Sequence, residues 1–216
     1  MTTSSIDTIA GIHVPDTALA REATEFIRDT EDELLFNHSR RVFFFGALQG
    51  VRRGLKPDAE LLYVGAMFHD LGLTERYRGS AVRFEVDGAD AARDFLTAHG
   101  VDKAEADKVW LGIALHTTPG VPEFMAPEVA LLQAGVEVDV VGVGREQLAP
   151  EALAAVTAAH PRPQFKQRIL AAFNDGMKHR PRTTDGTMNA DVLAHFDPAF
   201  KRVDFVDHIL NNSWPE

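Results

Sequence analysis

Ala59-Glu60-Leu61-Leu62-Tyr63-Val64-Gly65-Ala66-Met67-Phe68-His69-Asp70-Leu71-Gly72 is the stretch on which the fold turns. Its apolar positions 61, 62, 64, 67, 68 and 71 recur at helical spacing, and Asp58, after Pro57, is placed to cap the start. A histidine and an aspartate then stand side by side at the end of the apolar face. Burying an unpaired carboxylate costs several kcal/mol, so this pair needs a cation, a metal or a dense set of hydrogen bonds. Neighbouring residues on a regular helix point about 100° apart. A helix end that unwinds at a glycine cap, here Gly72, would let both side chains reach one point. That point is a candidate metal site; the plainer reading is an exposed aspartate beside a satisfied core histidine.

Outward from this stretch the pattern stays helical. Residues 1–15 read as an irregular lead-in, and Asp16 is placed to cap a first helix. Thr30 followed three residues later by Glu33 is a capping box that opens a second helix, running to about Arg53 with Gly54 as its stop. Leu34, Leu35, His38, Val42, Phe45 and Leu48 fall on one stripe of that helix, which turns His38 toward the interior. The charged, glycine-containing segment from Thr74 to Val86 reads as a loop. Asp87 or Asp90 then starts a helix ending at Gly100, and a further helix runs from Asp102 to His116, broken by Thr117-Thr118-Pro119-Gly120.

Pro127 suits the first turn of the next helix. Val136 to Val140 alternate like a strand, but no partner strand is in view and an isolated strand leaves its backbone groups unsatisfied, so the segment is assigned as helix. This places Asp139 on a stripe with Leu131, Leu132 and Gly135. Helices from about Pro150 to His160, from 164 to 178, around 190–196 and from 199 to 211 complete an all-α chain.

The 216 residues suit one substantial domain, with a core over about 30–170 and a helical extension over about 171–216. There are no cysteines, which excludes disulfides and thiolate ligands and leaves His, Asp and Glu for any metal. A net charge of −10 argues against nucleic-acid and anionic-membrane partners. No basic segment followed by an apolar one opens the chain, and no apolar run approaches membrane-spanning length, so a soluble cytoplasmic protein is expected. A homo-oligomer is compatible with this.

His38, His69, Asp70 and Asp139 thus stand on apolar faces of three helices. Two imidazoles and two carboxylates suit zinc, or iron or manganese, better than calcium, and the carboxylates balance a divalent charge. The order H…HD…D resembles the HD-domain metalloenzyme superfamily. Asn37-His38-Ser39-Arg40-Arg41-Val42, Phe68-His69-Asp70-Leu71-Gly72, Ala114-Leu115-His116-Thr117-Thr118, residues 83–93 and residues 161–169 resemble in particular its cyanamide hydratase-like branch. Leu73-Thr74 after the HD segment departs from that branch, where a more polar pair is expected.

The resemblance implies a helical bundle with a buried ion held by His38, His69, Asp70 and Asp139. It also implies a hydratase or hydrolase in which water activated by the ion attacks a small molecule, with hydration of cyanamide or a similar nitrile as the narrow expectation. His116 would face the pocket and move a proton, helped by Thr117 and Thr118; the plainer reading of these three is helix-ending chemistry. Arg40, Arg41, Arg76, Arg78 and Arg83 read chiefly as solvated, with one of them able to bind an anion. Hydrolysis of a phosphomonoester or phosphodiester is the alternative, and a non-catalytic metal-binding module the third reading.

Overall fold

The computed structural model describes residues 8–215. Its helices are α1 (Ala18–Thr30), α2 (Glu33–Arg53), α3 (Ala59–Phe68), α4 (Phe84–Ala98), α5 (Lys103–Leu115), α6 (Pro127–Val140), α7 (Pro150–Ala159), α8 (Phe165–Met177), α9 (Asn189–Phe196) and α10 (Phe205–Leu210). Ahead of them, β1 (Thr8–Ile9) and β2 (Ile12–His13) form a two-stranded antiparallel hairpin within the segment expected to be irregular. The described residues are all-α apart from this hairpin.

α3 sits at the centre. Every residue from Leu61 to Phe68 is buried, so the near-continuous apolar run reflects a helix covered all round rather than one with a single buried stripe. Asp58 caps it, with its Oδ1 accepting from the amides of Glu60 at 2.9 Å and Leu61 at 3.1 Å. α1, α2, α5, α6 and α4 pack around it, with α2 against α6 and α4 against α5 as the main pairs. A second cluster, including Leu34, Leu35, Phe84, Phe165, Ile169 and Leu193, fastens α8 and α9 to α2 and the start of α4.

Several boundaries differ from expectation for local reasons. α1 is capped by Thr17, not Asp16, and α2 by Asp32, whose Oδ1 takes the Leu35 amide at 2.9 Å, rather than by a Thr30 capping box. α3 stops at Phe68, four residues before Gly72. Gly72 lies in a 3₁₀ turn over Leu71–Leu73, and a Cβ there would meet the Phe84 carbonyl oxygen at 2.1 Å. It is needed for close approach, not as a left-handed cap. α4 begins at Phe84, inside the segment read as a loop, because Phe84 and Glu85 are buried and not solvated. The last helix spans only Phe205–Leu210.

The α2–α6 contact sets the distance between His38 and Asp139. A Cβ at Gly135 would lie 2.2 Å from the Val42 carbonyl oxygen, which is backbone and cannot swing aside. Gly135→Ala is therefore expected to lose about 1–3 kcal/mol by forced separation of the helices. Urea denaturation measures this; stability equal to wild type would contradict the close contact.

Candidate metal centre

His69 follows the last residue of α3, and Asp70 follows it with φ −102° and ψ 4°, outside helical geometry. That change of direction swings the two side chains together. Both are fully buried, as is His38 from the second turn of α2, and His116 at the C-terminus of α5 is nearly so.

Four groups converge. His69 Nε2 lies 3.2 Å from His38 Nε2 and 3.4 Å from Asp70 Oδ2. Asp70 Oδ2 lies 3.5 Å from His38 Nε2, and Asp70 Oδ1 lies 3.6 Å from His116 Nε2. His38, His69 and Asp70 form a group able to hold a metal ion, their ligand atoms all within 4.8 Å of one another.

The far side of each ring fixes the protonation of the near side. His69 Nδ1 donates to the Ala66 carbonyl at 2.7 Å, and His116 Nδ1 to the Ile113 carbonyl at 2.6 Å. A carbonyl only accepts, so these nitrogens carry the hydrogen and their Nε2 atoms present lone pairs. His38 Nδ1 meets Asp139 Oδ2 at 2.7 Å with the same consequence. Burial pushes His69 down to about 3, which keeps its ring neutral at physiological pH.

Three lone pairs therefore point at one another and at a carboxylate whose two oxygens, like His116 Nε2, have no hydrogen-bond partner. Two nitrogen lone pairs 3.2 Å apart repel unless a cation or proton stands between them. Burial opposes ionisation of Asp70, and only positive charge on the surrounding imidazoles, a proton or a cation among them, holds its carboxyl well below the usual range. His116 is raised despite its burial, through Asp70 and Glu85. The donor set of neutral imidazoles and a carboxylate fits a divalent transition ion.

Asp139, expected among the ligands, stands one layer out. Its Oδ2 accepts from His38 Nδ1 and from Arg41 Nη2 at 2.9 Å, while Oδ1 accepts from Arg41 Nε at 2.8 Å. Arg162 Nε completes the clamp 2.9 Å from Oδ1. Since His38 faces the cluster with its opposite nitrogen, Asp139 orients the ring and enforces its tautomer instead of joining the ligand atoms. Arginines 40 and 41, read as solvated, are buried. Arg41 Nη1 also donates to the His160 and Pro161 carbonyls at 3.1 and 2.9 Å, and Arg40 Nη1 donates to Tyr63 Oη at 2.6 Å.

The two threonines part company. Thr117 borders the cavity, but its hydroxyl donates to Glu85 Oε1 and accepts from Arg83 Nη2 at 3.2 Å, so its proton is not free for a substrate. Thr118 is not among the residues lining the cavity. Glu85 also accepts from Asn189 Nδ2 at 2.8 Å, which links α4, the end of α5 and α9. His38, His69, Asp70 and His116 meet in the wall of a cavity of about 340 Å³, closed by Leu170, Phe173 and Val192 from the C-terminal helices. Those residues escaped the sequence reading. For Leu170 and Phe173 the only signal was the amphipathic pattern of FKQRILAAFNDGMK within 164–178, and for Val192 there was none beyond the helix expected around 190–196.

Glu31 is a further buried acid. Its Oε1 has no partner, and Ser39 Oγ reaches Oε2 at 3.4 Å. Burial, and then the charge of Asp70, push this carboxyl well above its ordinary 4.5. As pH rises above that ordinary value, the unfolded chain releases the proton while the folded chain keeps it, so folding loses stability with rising pH. Glu31→Gln removes that loss. In the presence of a chelator the variant is expected to match wild type near pH 4 and to exceed it at pH 8 by on the order of 1 kcal/mol or more. Urea denaturation at the two pH values reads the difference; a variant no more stable than wild type at pH 8 contradicts the assignment.

Among the described residues no helix is long and apolar enough to cross a membrane. In comparison with protein families, residues 35–163, more than half of the chain, match the model of the HD domain. No curated protein matches the chain.

Proposed function

This chain belongs to the HD domain family, whose members are typically metal-dependent hydrolases, and from that premise we propose that it adds water to a small uncharged molecule, with hydration of cyanamide or a related nitrile as the specific reaction. One observation carries the reading: the Asp70 carboxylate, whose oxygens have no hydrogen-bond partner, meets the Nε2 atoms of His38, His69 and His116 on the wall of a cavity. His38, His69 and Asp70 would hold the ion, with zinc the best match to nitrogen-rich ligation and iron or manganese as alternatives. When bound, such an ion lowers the pKa of water toward about 7 and polarises the electrophile.

The chain's own groups do the rest. His116 Nε2, turned to the cavity and tied at Nδ1 to Ile113, takes the proton that water loses on attack and returns it to the substrate nitrogen. Water oxygen bonds to the nitrile carbon, one proton reaches nitrogen through His116, and the second follows by tautomerisation, so that R–C≡N and H₂O give R–C(O)NH₂. Asp139, Arg41 and Arg162 keep His38 in register. A cytoplasmic location and a small-molecule partner accord with this chemistry.

Phosphate-ester hydrolysis would need cations near the centre. Arg78 pairs with Glu75 at 3.1 Å, Arg83 pairs with Glu85 at 2.7 Å, and Arg76 lies over the rings of Phe26 and Tyr77. Among the described residues no lysine or arginine lines the cavity. This favours a neutral substrate. A purely structural ion would leave no coordination position open, whereas a cavity adjoins this cluster.

The test combines metal analysis with release of urea from cyanamide and of amides from simple nitriles, run beside phenyl phosphate. Bound divalent ion with amide or urea formation and no phosphate release is the expected result. A loaded protein that releases phosphate and hydrates nothing overturns it.

A further inference from the structure

The cavity is far larger and more apolar than cyanamide, with three heavy atoms, requires. One side holds His38, His69, Asp70 and His116; the opposite side is Val136, Val140, Leu170, Phe173 and Val192. Besides the histidine–aspartate cluster the polar lining residues are Thr117, Gln133, Glu137 and Asn189, and each is already engaged, Gln133 Nε2 donating to Glu137 Oε1 at 3.1 Å. Thr117 bonds Glu85, and Asn189 donates to the same carboxylate. At the mouth, Val141, Val143 and Met188 line the cavity while remaining 68, 59 and 51 % exposed. Apolar side chains ringing an opening are costly to leave in water without an apolar ligand to cover them.

Leu170, Phe173, Met188 and Val192 lie beyond residue 163, where the family match ends. The wall facing the metal centre is thus built by the C-terminal helices, held in place by Phe84 against Phe173 at 5.9 Å and by the Asn189–Glu85 bond.

The geometry points to α8 and α9 as the element that sets specificity, selecting an uncharged substrate that carries an unbranched or lightly branched apolar group of about four to six carbons beside its reacting centre. This rests on the reading of the centre as a site of water addition, but the binding preference stands apart from turnover. The reacting group sits against His116 and the ligand cluster, and the hydrocarbon lies along Leu170, Phe173 and Val192. Each methylene buried there strengthens binding about threefold to fourfold.

Calorimetry on the zinc-loaded full chain with acetamide, butanamide and hexanamide tests this without requiring catalysis. Hexanamide is expected to bind about a hundredfold more tightly than acetamide, from four added methylenes. Leu170→Asn and Val192→Thr, each checked by thermal melting and metal content, are expected to cut that ratio about tenfold. Hexanamide no tighter than acetamide, absence of binding by either, a ratio unchanged in both variants, or phenyl phosphate binding more tightly than hexanamide would each overturn the proposal. Turnover of the matching nitriles is a separate readout. If no amide forms while the chain-length preference holds, the hydration reading falls and the apolar selectivity remains.

Discussion

Asp70→Ala is expected to fold, to bind divalent ion more than about 100-fold more weakly than wild type, and to show no measurable turnover. Removing a group that merely orients a ligand costs 10–100-fold in metal affinity, and Asp70 contributes the carboxylate itself. Its oxygens make no hydrogen bond that the fold would miss. With chelator present the variant should therefore be at least as stable as wild type, because a fully buried carboxylate facing lone pairs has been removed. With ion present the order reverses. Wild type gains about 2.7 kcal/mol when free ion reaches a hundred times its dissociation constant, and Asp70→Ala gains almost nothing. Thermal melts of both proteins with and without zinc read this crossing. A variant that melts far below wild type in chelator would make Asp70 a structural residue and sink the functional argument.

The second large effect lies at Asp139. Asp139→Ala leaves the Arg41 guanidinium buried without its carboxylate, and breaking one half of a buried pair costs about 3–5 kcal/mol. Desolvation already lowers the Arg41 pKa in the paired state, which shows how poorly this place tolerates an unpaired cation. Asp139→Asn keeps an oxygen for His38 Nδ1 and is expected to lose less stability. Its ion affinity should fall about 10–100-fold, the range for a group that positions a ligand. Denaturation together with zinc titration separates the two contributions. Complete loss of ion in Asp139→Asn, equal to that of Asp70→Ala, would instead make Asp139 a ligand.

What the sequence disclosed and what it hid follow from the same physics. His38, His69 and Asp70 were legible because polar residues on otherwise apolar helical positions need a partner, whatever the tertiary arrangement. The helical assignment of Val136–Val140 rested on the absence of a second strand, and α6 is a helix. Asp139 was legible as buried but not in its role. The residues that satisfy it, Arg41 and Arg162, lie 98 and 23 positions away by sequence separation. Nothing local distinguishes a buried arginine from one in solvent. The same blindness put Phe84 and Glu85 in a loop: their burial comes from α8 and α9, more than seventy residues downstream. The apolar wall of the cavity has its origin there too, on a helix whose pattern showed amphipathicity without showing what its apolar face would cover.

The most direct test is anomalous diffraction from zinc-loaded crystals. The account predicts one strong peak about 2.0–2.2 Å from His38 Nε2, His69 Nε2 and an Asp70 carboxylate oxygen, with Asp139 still joined to His38 Nδ1 and Arg41. A peak bonded to Asp139, or no peak between the two histidines, would contradict it.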